Sequence, residues 1–218
     1  MCGIVAAVTA NRDVRADVLT GLKTLEYRGY DSAGMAVWTA DGLQVRRKMG
    51  KIANLEAELL RNQLPESCQA IAHTRWATHG APADRNAHPH RDDRSEIVVV
   101  HNGIIENYLE LRSLLAECGH HFFTDTDTEV LANLIAHYKR QDHDLHNAVR
   151  LALTKVEGAY GLVVMAAADP ALIIVARMDS PLVVGISKEG RYAASDMPAL
   201  LHLTRDFLIL ENGESAIL

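Results

Sequence analysis

The strongest constraint on the fold is a set of short runs in which nearly every residue is apolar. The plainest is Ile97–Val100, inside a predicted strand over 96–101. Similar runs form predicted strands at 4–9, 71–76, 160–166, 172–178, 182–187 and 207–210. Strands of this composition are typical of sheets that are covered on both faces.

Hairpins and helices complete the pattern. Ala33–Thr39 and Leu43–Lys48 flank Asp41-Gly42, a sequence typical of a tight hairpin turn. Apolar residues at helical spacing predict helices over 14–25, 52–60, 108–117, 128–138 and 145–156. The sequence Thr126-Asp127-Thr128-Glu129 has the capping-box pattern and predicts the start of the fourth helix.

Antiparallel pairing and burial on both faces are satisfied together by two stacked sheets with helices outside them. We therefore predict an α+β fold, and the 218 residues fit one large domain or at most two small ones. The chain stops on apolar residues at Glu214–Leu218, which predicts that it is cut from a longer protein.

Charge and hydropathy exclude some classes of protein. The net charge is -6 and no Lys/Arg-rich block is present, which argues against nucleic acid as the main partner. The apolar stretch Gly3–Val8 is short and has no basic residues before it, unlike a signal peptide. No run approaches the length of a membrane span, so we expect a soluble, cytoplasmic protein.

The cysteines are Cys2, Cys68 and Cys118, which are too few and too far apart for a disulfide framework or a zinc knuckle. Cys68 and Cys118 are predicted to be core thiols. Cys2 differs because removal of Met1 would give it a free α-amine, whose pKa of about 7.7–8.0 suits a general base. A nucleophile that carries its own base is the N-terminal variant of nucleophilic catalysis. Arg28 is a candidate cation or structural support for it.

Polar segments beside the strong strands are the candidate sites. They are Tyr27–Ser32, His73–Gly80, Asn86–His90 and His101–Gly103. The histidines in them suggest a metal, but no ligand spacing supports one, and we expect none.

Three features have two interpretations each. Asn102-Gly103 is either a simple turn or a pair of donors for a developing oxyanion. Arg75 is either a surface charge or a grip for a carboxylate. Asp127 either complements a helix dipole or holds a substrate ammonium.

The segments MCGIV, EYRGYDSAG, HTRWATHG, NAHPH, VVVHNGIIEN and TDTE occur in this order within residues 1–129, and they carry a resemblance that extends over nearly the whole chain. Together they resemble the class II glutamine amidotransferases, and within them the glutaminase domains of the glutamine–fructose-6-phosphate transaminases (isomerising). The resemblance implies an N-terminal-nucleophile hydrolase fold, a four-layer helix/sheet/sheet/helix sandwich with mainly antiparallel sheets, formed by residues 1–218.

The resemblance also implies the catalytic roles. Cys2 attacks the side-chain amide of L-glutamine, and its own amine relays the proton. The Asn102 side chain and the Gly103 N–H form the oxyanion hole. Hydrolysis of the resulting thioester releases glutamate.

The same resemblance implies the binding residues. Arg75, helped by Thr78 and His79, holds the glutamine α-carboxylate. Asp127 holds the α-ammonium. Trp76 matches the residue thought to gate the passage of ammonia.

No cofactor is implied. The family's two sugar-isomerase domains, which aminate fructose 6-phosphate, are absent from this chain, and the full-length enzyme is expected to be a homodimer. Two alternatives remain: an N-terminal-cysteine hydrolase acting on another amide, and a non-catalytic glutamine-sensing domain. The pair Arg75 and Asp127 argues against the first. The retention of Cys2 with Asn102-Gly103 argues against the second.

Overall fold

The computed structural model describes residues 2–218, so the predicted removal of Met1 lies outside the described residues. Twelve strands form a seven-stranded and a five-stranded sheet, with antiparallel pairing between neighbouring strands. The larger sheet contains β1 (Gly3–Thr9), β2 (Ser32–Thr39), β3 (Gly42–Met49), β4 (Gln69–Arg75), β9 (Val183–Ile186), β10 (Gly190–Ala194) and β11 (Asp206–Ile209), in the order β11-β9-β10-β1-β4-β2-β3. The smaller contains β5 (His90–Arg91), β6 (Ile97–Ile105), β7 (Gly158–Ala166), β8 (Ile173–Met178) and β12 (Ser215–Ile217), in the order β12-β8-β7-β6-β5.

Within residues 2–218, five α-helices cover the outer faces of the sheets. They are α1 (Arg15–Thr24), α2 (Ile52–Arg61), α3 (Tyr108–Glu117), α4 (Thr128–Lys139) and α5 (Leu145–Leu153). The first two pack on the larger sheet and the other three on the smaller. The predicted four-layer helix/sheet/sheet/helix sandwich with antiparallel sheets is therefore confirmed.

The strand β1 shows how the layers are specified. Ile4, Ala6 and Val8 face the smaller sheet, where they meet Val98 and Val100. The alternating residues Val5 and Ala7 belong instead to the core under α1 and α2. Because successive side chains of a strand point to opposite faces, an apolar run is what a strand buried between two layers requires.

Most predicted elements are present, and the differences are local. The strand β10 was not predicted, although it is the neighbour of β1 in the larger sheet. The helix α5 ends at Leu153, short of the predicted 156. The prediction of a core thiol is wrong for Cys118, which is exposed, while Cys68 is partly buried.

The capping-box interpretation is also wrong. The residue that precedes α4 is Asp127, and its side chain makes no capping hydrogen bond. The Glu129 carboxylate instead accepts hydrogen bonds from the backbone N–H groups of Phe123 and Thr124, each at 2.8 Å. The acid therefore fixes the preceding loop rather than the helix start.

None of the helices in residues 2–218 has the length and apolar character needed to cross a bilayer.

Candidate active site

A cavity of about 360 Å³ opens between the start of β1, the end of β4 and the middle of β6. It is lined by all the predicted site residues except His79, namely Cys2, Arg28, Arg75, Trp76, Thr78, Asn102, Gly103 and Asp127. Residues that are about 100 positions apart in sequence meet here because β1 pairs with β4 in one sheet and β6 faces them from the other.

The Cys2 thiol is held against the backbone at the end of β4. The N–H of Trp76 donates to the Cys2 Sγ at 3.2 Å. The following residue has to be a glycine, because a Cβ on Gly3 would lie 2.8 Å from both Leu25 Cβ and Thr74 Cγ2. Burial raises the pKa of the Cys2 thiol, although the hydrogen bond from Trp76 opposes it. Since the thiolate is the reactive form, this thiol needs a base beside it.

Two donors hold the carbonyl oxygen of Cys2. The Arg28 Nε lies 3.2 Å from it and the Asn102 Nδ2 lies 3.0 Å from it. The Arg28 guanidinium is in turn paired with Asp196 at 2.9 Å. Arg28 therefore fixes the backbone of the cysteine, and the Asn102 amide nitrogen lies beside the thiol-bearing residue.

The interpretation of Asn102-Gly103 as a turn is wrong, because both residues lie inside β6 and pair with Gly161 and Tyr160 of β7. Gly103 adopts a φ of 131°. A Cβ there would lie 2.0 Å from the carbonyl oxygen of Ala159. Only glycine fits this backbone, and it gives the strand a local distortion beside the cavity.

Arg75 is not a surface charge, since only 4% of the residue is exposed. Its Nη2 donates to the carbonyl oxygens of His79 and Gly80, the latter at 3.1 Å. Its Nη1 is buried and has no hydrogen-bond partner among residues 2–218. Burial lowers the pKa of Arg75, whereas the charges of Cys2 and Asp127 act to raise it. A guanidinium with little solvation and a free nitrogen is suited to binding a carboxylate.

His79 contributes its backbone to this arrangement. Its carbonyl oxygen accepts from Arg75, while its ring packs edge-on against Tyr108 with centroids 5.4 Å apart. The His79 side chain does not line the cavity in this structure.

Asp127 is buried and lies immediately before α4. Its Oδ2 accepts the backbone N–H of Ile105 at 2.9 Å. Its Oδ1 has only a long contact of 3.5 Å with the Thr128 hydroxyl. This oxygen can therefore accept a hydrogen bond from a bound ammonium, and the carboxylate also complements the positive end of the helix.

Other residues also line the cavity. The loop Asp179–Pro181 after β8 was not predicted, and its sequence carries no pattern that could have revealed it. His88 and His101 lie in the predicted candidate segments Asn86–His90 and His101–Gly103, but the sequence assigned them no role. For His101 the available signal was a polar residue that interrupts an apolar strand.

Within residues 2–218, no group of three or more His, Cys, Asp or Glu side chains has an arrangement that could hold a metal ion.

Buried histidines should make stability depend on pH. Burial lowers the pKa of His88, His90 and His101, and it lowers the pKa of His73 from 6.5 to about 3. In the unfolded chain each of these histidines takes up a proton as the pH falls through about 6.5, whereas in the folded chain it stays neutral there. The free energy of unfolding should therefore fall as the pH drops from 6.5 towards 3, by up to about 1.4 kcal/mol per pH unit for each histidine that stays neutral.

Urea denaturation of the wild type and of His73→Gln at pH 7 and pH 5 measures this effect. The variant should lose less stability between the two pH values, because it has one titrating group fewer. Equal losses in both proteins would contradict the assignment of a neutral His73.

One family model matches this chain, the glutamine amidotransferase domain, over residues 73–202. The matched region contains Arg75, Asn102, Gly103 and Asp127. It therefore includes most of the cavity residues described above.

The chain is also similar to longer proteins. A glutamine–fructose-6-phosphate aminotransferase (isomerising) of Shewanella oneidensis is 50% identical over 216 residues, which are 99% of this chain and 35% of that protein. The enzyme of the same name from Pyrococcus horikoshii is 47% identical over 217 residues, which are 100% of this chain and 36% of that protein. The chain thus spans about a third of the length of the curated relatives it matches.

The fold has close structural counterparts. The glutamine phosphoribosylpyrophosphate amidotransferase of B. subtilis, solved with ADP and GMP, superimposes with a TM-score of 0.80 at 28% identity. The match covers 99% of this chain and 47% of that one.

Proposed function

The chain belongs to the glutamine amidotransferase domain family, and from this premise we propose that it hydrolyses the side-chain amide of L-glutamine through a thioester on Cys2. The observation that carries the proposal is one cavity lined by a thiol, an amide donor, a partly unbonded guanidinium and a carboxylate. These are the groups needed to attack an amide and to hold both charges of an α-amino acid.

The reaction requires a base for the Cys2 thiol. When Met1 has been removed, the free α-amine of Cys2 accepts the thiol proton, because its pKa of about 7.7–8.0 lies near neutral pH. The thiolate then attacks the amide carbon. The ammonium formed on Cys2 returns the proton to the leaving nitrogen, so ammonia departs and a thioester remains. Water, deprotonated by the same amine, hydrolyses the thioester to glutamate.

The tetrahedral intermediate carries a negative oxygen. Asn102 Nδ2 has two hydrogens, one of which points to the Cys2 carbonyl, and the second is available for this oxyanion. The Gly103 N–H is the second proposed donor. Such preorganised donors lower the barrier because the charge appears only in the transition state.

Selectivity for glutamine is assigned to the two charged residues. Arg75 binds the α-carboxylate, with Thr78 and the backbone of His79 beside it. Asp127 binds the α-ammonium. A substrate amide without these two charges would leave a buried guanidinium and a buried carboxylate unpaired, which is costly.

The wider role rests on the longer relatives. We propose that the ammonia passes to sugar-isomerase domains outside this chain, where fructose 6-phosphate is aminated to glucosamine 6-phosphate. Trp76 is 46% exposed beside the cavity and packs edge-on against Tyr30 at 5.4 Å, which suits a gate. We also propose that the full-length enzyme is a cytoplasmic homodimer that uses no cofactor.

The experiment that tests the proposal is incubation of this chain with L-glutamine and measurement of both products. Glutamate and ammonia should appear in equal amounts. L-Asparagine, shorter by one methylene, should react at least about tenfold more slowly, because its amide falls short of Cys2 when its α-groups are bound. Glutamine that is bound and recovered unchanged would favour a sensing domain.

Replacing Asn102 by alanine should lower kcat on the order of a hundredfold, with little change in KM, because the lost donor acts on the transition state. Steady-state kinetics measure both constants. Asn11→Ala, in an exposed turn, is the matched control and should behave like the wild type. A kcat for Asn102→Ala within tenfold of the wild type would contradict the oxyanion role.

A further inference from the structure

The side-chain amide of Asn102 has a donor end and an acceptor end of nearly the same shape. Only the orientation with Nδ2 towards Cys2 supplies a donor for an oxyanion, and a half-turn of the amide would present an oxygen instead. A catalytic amide of this kind needs a neighbour that distinguishes its two ends. In the structure the Cys2 carbonyl oxygen contacts the Nδ2 end at 3.0 Å, and the neighbour at the Oδ1 end is His73, whose Nε2 lies 3.0 Å from that oxygen.

We propose that His73 is a positioning residue that fixes the orientation of the Asn102 amide through its Nε2–H. The proposal rests on the proposed glutaminase function and identifies what maintains its oxyanion donor. His73 belongs to β4, is fully buried and is not among the residues that line the cavity.

The tautomer of His73 follows from a second contact. The same Nε2 lies 3.2 Å from the carbonyl oxygen of His101. A carbonyl oxygen can only accept a hydrogen bond, so the Nε2 must carry a hydrogen. The atom of Asn102 that faces it must then be the acceptor Oδ1. The backbone of β6 thereby determines the tautomer of His73, and His73 determines the orientation of Asn102.

The other ring nitrogen supports the same assignment. The Nδ1 of His73 is buried and has no hydrogen-bond partner among the residues the structure describes, which suits an unprotonated nitrogen. The ring stacks on His88 with centroids 4.0 Å apart and planes at 14°. Burial, together with the charge of Arg75, lowers the pKa of His73, although the bond to Asn102 opposes this. The Nε2–H therefore persists throughout the neutral pH range.

The first test is a double-mutant cycle on glutamine hydrolysis by this chain. His73→Leu removes the donor and keeps an apolar side chain of similar size. The kcat should fall at least about tenfold with KM nearly unchanged, because the Asn102 oxygen would lack its buried donor and the amide would be held at its Nδ2 end only. In the Asn102→Ala background the same change should lower kcat by less than about twofold. A residue that only packs the core would lower kcat by the same factor in both backgrounds.

His73→Gln is the matched conservative variant. A glutamine amide can place an N–H where the histidine Nε2–H lies, and the His101 carbonyl would select that orientation. The variant should recover most of the kcat that His73→Leu loses. Equal activities of the two variants would contradict the proposal.

A second measurement needs no substitution, and so remains valid where His73→Leu fails to fold. The side-chain ¹⁵N and ¹H shifts of His73 should show the neutral Nε2–H tautomer from pH 6 to 8. An Nδ1–H tautomer would overturn the proposal. A wild type without glutamine turnover would contradict the proposed function, whereas the tautomer measurement still tests the link between His73 and Asn102.

Discussion

Cys2→Ala is expected to lower kcat for glutamine hydrolysis by at least about 10⁴-fold, because it removes the only protein atom proposed to bond to the substrate carbon. The Cys2 Sγ lies beside the Trp76 backbone and at the edge of the cavity, and the Asn102 amide is held on the carbonyl of the same residue. Glutamine should still bind with a Kd within a few-fold of the wild type, because the proposed ligands of its two charges, Arg75 and Asp127, are unchanged.

The matched control is Cys68→Ala, since this partly buried thiol lies outside the cavity. Its kcat should remain within about twofold of the wild type. Turnover by Cys2→Ala within a hundredfold of the wild type would mean that a water molecule, not the thiol, attacks the amide. A wild type that binds glutamine but does not hydrolyse it would indicate a sensing domain.

Arg75→Gln should reduce kcat/KM by about 10²–10³-fold, mainly through KM, because a buried carboxylate would lose its charged partner. The free Nη1 and the low exposure of Arg75 are the observations behind this expectation. Arg75→Lys should give an intermediate loss, since it keeps the charge but not the planar fork. Initial-rate kinetics over a range of glutamine concentrations separate KM from kcat.

Arg85→Gln is the control for a general loss of positive charge. The Arg85 side chain is 66% exposed and is paired with Asp125, so the variant should have nearly wild-type kinetics. If Arg75→Gln raised KM less than about fivefold, the carboxylate would have to bind elsewhere in the cavity.

The layered fold was predictable because short local segments of the sequence determine its strands and turns. The run at Ile97–Val100 is apolar at every position, which indicates a strand covered on both faces. The dipeptide Asp41-Gly42 likewise indicates the hairpin turn between β2 and β3. A strand such as β10, with the sequence Gly-Arg-Tyr-Ala-Ala, has no comparable signal. It becomes a strand because it pairs with β1 on one side and with β9 on the other.

The candidate site was predictable where a residue type is unusual at its position in the sequence. Cys2 is a thiol at the chain terminus, and Arg75 is a charged residue at the end of an apolar strand. The supporting contacts were not predictable from spacing. His73 meets Asn102 only because β4 and β6 face each other across the two sheets, and Glu129 reaches back to Phe123 and Thr124 instead of capping its helix. Such contacts depend on the packing of distant segments and leave no periodic pattern.

The proposed reaction depends on Cys2, freed as the N-terminal residue, acting as the nucleophile towards a glutamine-shaped substrate. The most direct measurement is an intact-mass spectrum with peptide mapping after incubation with a glutamine-mimicking diazoketone. We expect loss of the Met1 mass and one adduct, located on Cys2. A retained Met1, or an adduct found only on Cys68 or Cys118, would contradict it, because the thiol at position 2 would then have no amine beside it to act as the base.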